Sequence, residues 1–137
     1  MRSYNYLISD AGSAEGHYVE LLETRLVELL QALLIRVHVD ENWYLATYPD
    51  VAGAVKRGDM KSGRDHFIRS GYFENRLPAP IRVDERWYLD EYPDVAGAIK
   101  SGAFRNGQQH FERNGFKEGR LPVAGWSLLN QPTSIAA

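Results

Sequence analysis

The string YPDVAGA occupies Tyr48–Ala54 and recurs unchanged at Tyr92–Ala98, 44 positions further along the chain. Around these strings, residues 39–78 and 83–122 align without a gap, and 24 of the 40 aligned positions are identical. A period in the forties is typical of proteins built from helical repeats. The sequence therefore predicts two copies of one helical module.

The Tyr-Pro-Asp string predicts a joint between the first two of three short helices in each copy. Asp40 is suited to cap the first helix, because its carboxylate accepts hydrogen bonds from early helix amides. The residue before a proline avoids the α region, and proline fits the first position of a new helix. Asp50 then falls in the first turn of the second helix, where the helix dipole stabilises a carboxylate.

A third helix is predicted to begin after Ser62 in the first copy and after Asn106 in the second. Both side chains are common helix N-caps. Glycine often ends a helix, since it adopts the left-handed conformation without strain. Four glycines are therefore predicted to end the second and third helices: Gly58, Gly71, Gly102 and Gly115.

The segment before the repeats predicts a long amphipathic helix of about 20 residues, or about 30 Å. Its apolar residues alternate spacings of three and four, which is a heptad-like seam. The seam consists of Val19, Leu22, Leu26, Leu29 and Leu33. The helix is predicted to pack on the repeats and close their core, and also to join two or more chains.

The chain is thus predicted to be all-α, with one long amphipathic helix and two tandem three-helix repeats of about 44 residues. Five segments follow along the sequence: a flexible leader at residues 1–14, the amphipathic helix at 15–38, repeat 1 at 39–80, repeat 2 at 81–123 and a tail at 124–137. The tail has one apolar group, Trp126–Leu129, which is predicted to dock on the second repeat or on a neighbouring chain.

Composition narrows the classes of function. The net charge is -2 and there is no basic run, which argues against a nucleic-acid partner. The absence of cysteine excludes disulfides and thiolate zinc sites. The N-terminus lacks the apolar core of a signal peptide, and charges interrupt the most apolar stretch, residues 21–37. We therefore expect no membrane span, and a leaderless chain that is cytoplasmic or exported without an N-terminal signal.

His66 and His110 are the candidates for metal or acid–base chemistry. Neither has a second histidine at ligand spacing, so packed helix histidines are expected and no catalytic residue, metal or cofactor is predicted. Asp50 and Asp94 are poor general bases, because a helix N-terminus lowers the pKa of a carboxylate.

Six residues are candidate binding residues: Trp43, Tyr44, Trp87, Tyr88, Arg76 and Arg120. Aromatic faces can stack on sugars, but adjacent rings on a helix point about 100° apart, so one of each pair is expected in the core. The two arginines are expected to hold carboxylates or helix-end carbonyls within each module, with recognition of anions or sugar phosphates as the alternative.

The pattern W-Y-L-x-x-Y-P-D-V-A-x-A, followed by a glycine, H-F and a G-x-x-E-G-R-x-P ending, resembles a short tandem helical repeat of bacterial proteins. In that family the repeat often lies beside glycosyltransferase domains of surface-polysaccharide assembly, and it also occurs in secreted proteins with haemolysin-type calcium-binding repeats. The resemblance covers residues 39–122, and the first copy reads ENR where the second reads EGR. It implies a link to cell-surface polysaccharide or to an extracellular assembly.

The predicted function is a non-enzymatic bacterial interaction or adaptor module. It would self-associate or dock through Val19–Leu33 and present its repeat surface to a protein or glycan partner. The alternatives are a carbohydrate-binding module, an enzyme that uses His66 and His110, and a structural subunit of a large extracellular or particle assembly.

Overall fold

The computed structural model describes residues 2–8 and 16–130, in which every regular element is a helix. Helix α1 spans Glu23–Leu34. The first copy contains α2 (Glu41–Thr47), α3 (Pro49–Arg57) and α4 (Gly63–His66), which continues as a π-helical turn at Phe67–Gly71 and a 3₁₀ turn at Tyr72–Glu74. The second copy contains α5 (Glu85–Glu91), α6 (Pro93–Lys100) and α7 (Gly107–His110), which continues as a π-helical turn at Phe111–Gly115. The prediction of an all-α protein is confirmed.

The predicted helix caps are present. The Asp40 side chain accepts a hydrogen bond from the Trp43 amide at 3.0 Å, and the Ser62 hydroxyl accepts one from the Asp65 amide at 2.9 Å. Pro49 stands at the start of α3, and Gly58 ends that helix with a left-handed φ of 83°. The local signals in the sequence therefore determine where these short helices begin and end.

Each copy closes on itself where its two ends meet. The Asp40 amide donates to the Pro78 carbonyl at 3.0 Å, and the Asp84 amide donates to the Pro122 carbonyl at the same distance. The Leu77 amide also donates to the Tyr48 hydroxyl at 2.8 Å. These bonds fix the closing Arg-Leu-Pro segment of the first copy to its Tyr-Pro-Asp joint.

Gly71 has a role that differs from the predicted one. Its φ of -58° is helical, and the chain continues directly into the 3₁₀ turn. A Cβ at Gly71 would collide with the hydroxyl of Tyr44, and one at Gly115 would collide with that of Tyr88. These glycines are therefore required by close packing against a buried ring rather than by a left-handed helix end.

The amphipathic helix is shorter than predicted. Helix α1 has 12 residues, whereas the sequence predicted about 20 within residues 15–38. Leu22, the residue before the helix, is extended and has no side chain that could cap the first amides. Val19 is 89% exposed, so the seam at this end makes little packing contact, and packing supplies most helical stability in proteins. The helix therefore begins at Glu23.

Residues 2–8 of the predicted leader cross both repeats. The Ser3 amide donates to the Phe73 carbonyl at 3.2 Å, and the Tyr72 hydroxyl donates to the Asn5 carbonyl at 2.6 Å. The Tyr6 hydroxyl then donates to the carbonyls of Phe116 and Arg120, each at 2.8 Å. We call residues 2–8 the strap; the rest of the predicted leader lies outside the described residues.

The tail returns to the first repeat as well as the second. Leu128 is 1% exposed and belongs to the core cluster of the first repeat, together with Leu34 and Tyr44. Trp126 packs against both core clusters and meets the Tyr6 ring edge-on at 5.3 Å. The apolar group was predicted to dock on the second repeat or on a neighbouring chain, and it packs on the first repeat as well as on the second. Residues 131–137 lie outside the described part of the chain.

The strap and the tail both connect the two repeats. Within residues 2–8 and 16–130, no helix of the first repeat comes within 8 Å of a helix of the second, measured between Cα atoms. Contact between the two cores is instead made through side chains such as Tyr6, Trp43 and Trp126, each of which packs on the second cluster. The strap and the tail thus each contact both repeats, whose described helices do not pack directly on one another.

Tyr6 is expected to be important for stability. Tyr6→Phe removes the donor to two carbonyls and should lower the free energy of unfolding by about 1 kcal/mol. Tyr6→Ala also removes the ring stacked on Phe116 at 4.9 Å and should cost about 2–4 kcal/mol. In urea titrations followed by circular dichroism, Tyr6→Ala should also broaden or split the transition. Ile8→Ala, at an exposed end of the same strap, is the control and should match the wild type.

Candidate interaction surface

Tyr44 and Tyr88, predicted as binding residues, are buried and unavailable to a ligand. Each ring is 0% exposed. The hydroxyl of Tyr44 shares a 2.9 Å hydrogen bond with Nδ1 of His66, and that of Tyr88 shares one of the same length with His110. The prediction was wrong for these two tyrosines because the adjacent tryptophan, rather than the tyrosine, takes the outer position on each helix.

The two histidines are components of the core. His66 is 9% exposed and His110 is 5% exposed. Burial lowers the pKa of both imidazoles below the usual 6.5, since an apolar environment disfavours the charged ring. The hydrogen-bond partner of each ring is a tyrosine hydroxyl. The sequence did not indicate this pairing, because Tyr44 and His66 are 22 positions apart and no local pattern connects them.

Arg76 joins the Tyr-Pro-Asp joint to the end of the first repeat. Its guanidinium binds both carboxylate oxygens of Asp50, at 2.9 and 2.8 Å, and Glu74 at 2.8 Å. It also lies 4.9 Å from the centre of the Tyr48 ring. The arginine lowers the pKa of Asp50 to about 2. This geometry matches the expectation of a carboxylate partner within the module.

Arg120 makes the same set of contacts in the second repeat. It binds Asp94 at 2.9 and 2.6 Å and Glu118 at 2.7 Å, and it lies 4.8 Å from the centre of the Tyr92 ring. With two carboxylates and a ring around each guanidinium, neither arginine presents an unoccupied fork to an external anion.

Trp43 and Trp87 are the predicted aromatic residues that remain partly accessible. Both are half-buried, and each meets a tyrosine of its own repeat edge-on, Tyr48 at 6.2 Å and Tyr92 at 6.1 Å. The adjacent Tyr44 and Tyr88 face the core, as the 100° helical offset predicted. The two indoles thus occupy equivalent positions in their repeats, although Trp43 also packs on the second core cluster.

The exposed large apolar side chains of the described residues are concentrated in one segment. Seven of the eight lie between residues 18 and 35, and we call this stretch the docking segment. Its exposed members are Tyr18, Val19, Leu21, Leu22, Leu29, Leu33 and Ile35, with exposed fractions from 38% to 89%. Four of the five seam residues are therefore exposed, and the fifth, Leu26, is half-buried against the first core. Contiguous apolar surface of this kind marks interaction sites.

One open cleft of about 510 Å³ was not predicted from the sequence. It is lined by Arg2, Glu23, Arg69, Ser70, Phe73 and Glu74. The charges that line it are already paired: Arg2 with Glu23 at 2.6 Å, Arg69 with Asp65 at 3.3 Å, and Glu74 with Arg76 at 2.8 Å. The cleft escaped prediction because the strap, which was expected to be flexible, brings Arg2 to it.

Comparison with known protein families, with curated proteins and with solved structures gives no match to this chain. The resemblance to the bacterial repeat family therefore stays a prediction. Among the described residues, no helix has the length and apolarity needed to cross a membrane. In the same residues, no group of three or more histidine, aspartate or glutamate side chains is placed to hold a metal ion.

The buried histidines are expected to make the fold sensitive to acid. Because their pKa is lowered by folding, the unfolded chain binds protons first as the pH falls below about 6.5. Their contribution is therefore fully present above that pH and is lost as the pH falls toward their folded pKa. We expect the free energy of unfolding, measured by urea titration, to decline as the pH falls below about 6.5.

The variant His66→Gln/His110→Gln should show a flatter dependence on pH over that range, even if its overall stability is lower. His17→Gln, at an exposed position, is the matched control and should keep the wild-type slope. The carboxylates of Asp50 and Asp94 act in a different range, because their lowered pKa values affect stability only below about pH 4. An unchanged slope in the double variant would contradict the assignment to these histidines.

Proposed function

We propose that this chain is a non-enzymatic interaction or adaptor module. It docks onto a protein partner or a second copy through the docking segment, and it presents the outer surface of its two repeats to a further partner. The observation that carries this proposal is the concentration of seven exposed apolar side chains in residues 18–35. Leaving such side chains in water is unfavourable by about 25 cal/mol per Å², so a partner that covers them gains affinity.

The polar groups that recur in both repeats support a non-enzymatic role. His66 and His110 are bonded to buried tyrosines, and Arg76 is surrounded by carboxylates of its own repeat. The lowered pKa of Asp50 also makes it a weak base near neutral pH. Each recurring group thus has a structural use, which favours the interpretation that the duplication supplies two modules rather than two active sites.

The resemblance described above places the proposed partner in a setting of bacterial surface polysaccharide or of an extracellular assembly. In such a setting the docking segment would attach the module to a larger protein or particle, and the repeats would remain free to bind. A structural subunit of such an assembly would use the same segment for docking.

The docking proposal is tested by affinity capture from an extract of the cell that produces the protein. A protein retained by the wild type should be lost from Leu22→Glu/Leu29→Glu, since both leucines are exposed and lie outside the core clusters. Thr24→Glu, at an exposed position on the other side of α1, is the matched control and should retain the same protein. Equal retention by all three chains would place the interaction elsewhere and overturn the proposal.

A glycan-binding module is the second candidate, and the matched positions of Trp43 and Trp87 favour it. Titration with bacterial polysaccharides should then give a saturable change in tryptophan fluorescence. Trp87→Phe should reduce the affinity for the polysaccharide at least several-fold, because it replaces the indole by a smaller ring. Stacking on an aromatic face contributes on the order of 1 kcal/mol. Trp126→Phe is the control, because it alters the tryptophan of the tail that packs against both core clusters. The absence of a response to any polysaccharide would remove this candidate.

A further inference from the structure

The described part of the chain leaves the docking segment uncovered. Its large apolar side chains keep exposed fractions from 38% to 89%, and Leu22 and Leu29 lie outside both core clusters. Exposed apolar surface of this kind is typical of a site where a second molecule binds.

The charges along the segment indicate what that molecule is. Glu23 is paired with Arg2 at 2.6 Å, and Arg25 is paired with Glu28 at 3.1 Å. Within the part of the chain that the structure describes, Glu20 and Arg36 form no ion pair. They carry opposite charges and lie at opposite ends of the apolar stripe. An antiparallel copy would bring each beside its opposite, whereas a parallel copy would bring like charges together.

We propose that the docking segment binds a second copy of this chain in an antiparallel, two-fold arrangement. In this register Leu26 faces the partner's Leu29, and Leu22, at the start of the helix, lies near the partner's Leu33. Glu20 precedes α1 and Arg36 follows it, so an antiparallel pair also brings Glu20 to the end of the pair where the partner's Arg36 lies. A two-fold interface of this kind is self-complementary, because each contact occurs twice. The inference rests on the docking role proposed above and specifies its occupant.

The apolar surface suits such a pairing. Leu22 is 72% exposed, Leu29 is 59% exposed and Leu33 is 38% exposed, while the half-buried Leu26 connects this stripe to the core of its own repeat. Leu26, Leu29 and Leu33 lie within α1 at spacings of three and four, and such spacings interdigitate between two helices. Leucines that a single chain leaves in water would thus be buried by the same leucines of the partner.

Cysteine cross-linking tests the arrangement, since the natural chain has no cysteine. Two single variants are made, Glu20→Cys and Arg36→Cys, and each is oxidised alone and as an equal mixture of the two. A disulfide requires Cα atoms within about 7 Å. Helix α1 alone has 12 residues and is about 18 Å long, so equivalent positions of antiparallel chains lie too far apart to link. The mixture should form a disulfide dimer, and neither variant should form one alone.

Light scattering on the same samples supplies the second measurement. The wild type and Thr24→Glu should have twice the monomer mass of 15.6 kDa, and Leu29→Glu should have the monomer mass with an unchanged circular dichroism spectrum. Disulfide dimers in each single variant would indicate a parallel pair and overturn the proposal. A wild-type dimer without the mixed disulfide would overturn the register.

A monomeric wild type would overturn the proposal of a second copy. The docking role would then be judged separately by the capture experiment. If the wild type is a monomer and Leu22→Glu/Leu29→Glu no longer captures another protein, the docking segment is an interaction surface for that protein. If the wild type is a monomer and capture does not depend on these leucines, both proposals are overturned.

Discussion

The buried hydroxyl of Tyr44 is the constraint on which the first repeat depends. A phenol oxygen removed from water needs a hydrogen-bond partner, and the Nδ1 atom of His66 supplies it at 2.9 Å. The position of that ring leaves no space for a side chain at Gly71, while Tyr48 and Phe67 pack edge-on around it. Tyr88, His110 and Gly115 repeat this arrangement in the second copy. The tyrosine, the histidine and the glycine thus recur in both copies because each copy buries the same tyrosine hydroxyl in the same way.

Each repeat has about 40 residues and can bury little apolar surface by itself. Additional packing is therefore needed to stabilise the two repeats. In repeat proteins that packing is usually the stacking of each repeat on the next. Here the strap and the tail supply part of it, because Tyr6 bonds two carbonyls of the second repeat and Leu128 enters the core of the first. Residues at both ends of the described chain therefore join the repeats, together with Trp43 and Leu77 of the first repeat, which pack in the second core cluster.

The sequence predicted those features whose causes are local. Asp40, Ser62, Pro49 and Gly58 act on amides within a few residues, so the caps and the helix joint could be located from spacing alone. The strap could not, because Tyr6 finds its partners 110 and 114 positions away. The start of α1 was misplaced for a related reason, since the heptad spacing indicates which residues share a face and not whether anything packs on it. The 100° offset between Trp43 and Tyr44 indicated that one of the two rings enters the core, but not that it would be Tyr44.

The two copies differ most in what covers them. Helix α1 packs on the π-helical turn of the first repeat, and Ile68 there is half-buried against the first core. The equivalent position in the second repeat is Glu112, which is exposed and accepts a hydrogen bond from Gln108. The chain thus places an apolar residue beside α1, and a charged residue at the equivalent position, on which no second described helix packs in place of α1. Leu22, Leu29 and Leu33 break this rule, because they remain in water at the start of α1 and along it. Among the described residues, seven of the eight large exposed apolar side chains lie in this one segment, and this asymmetry supports the docking proposal.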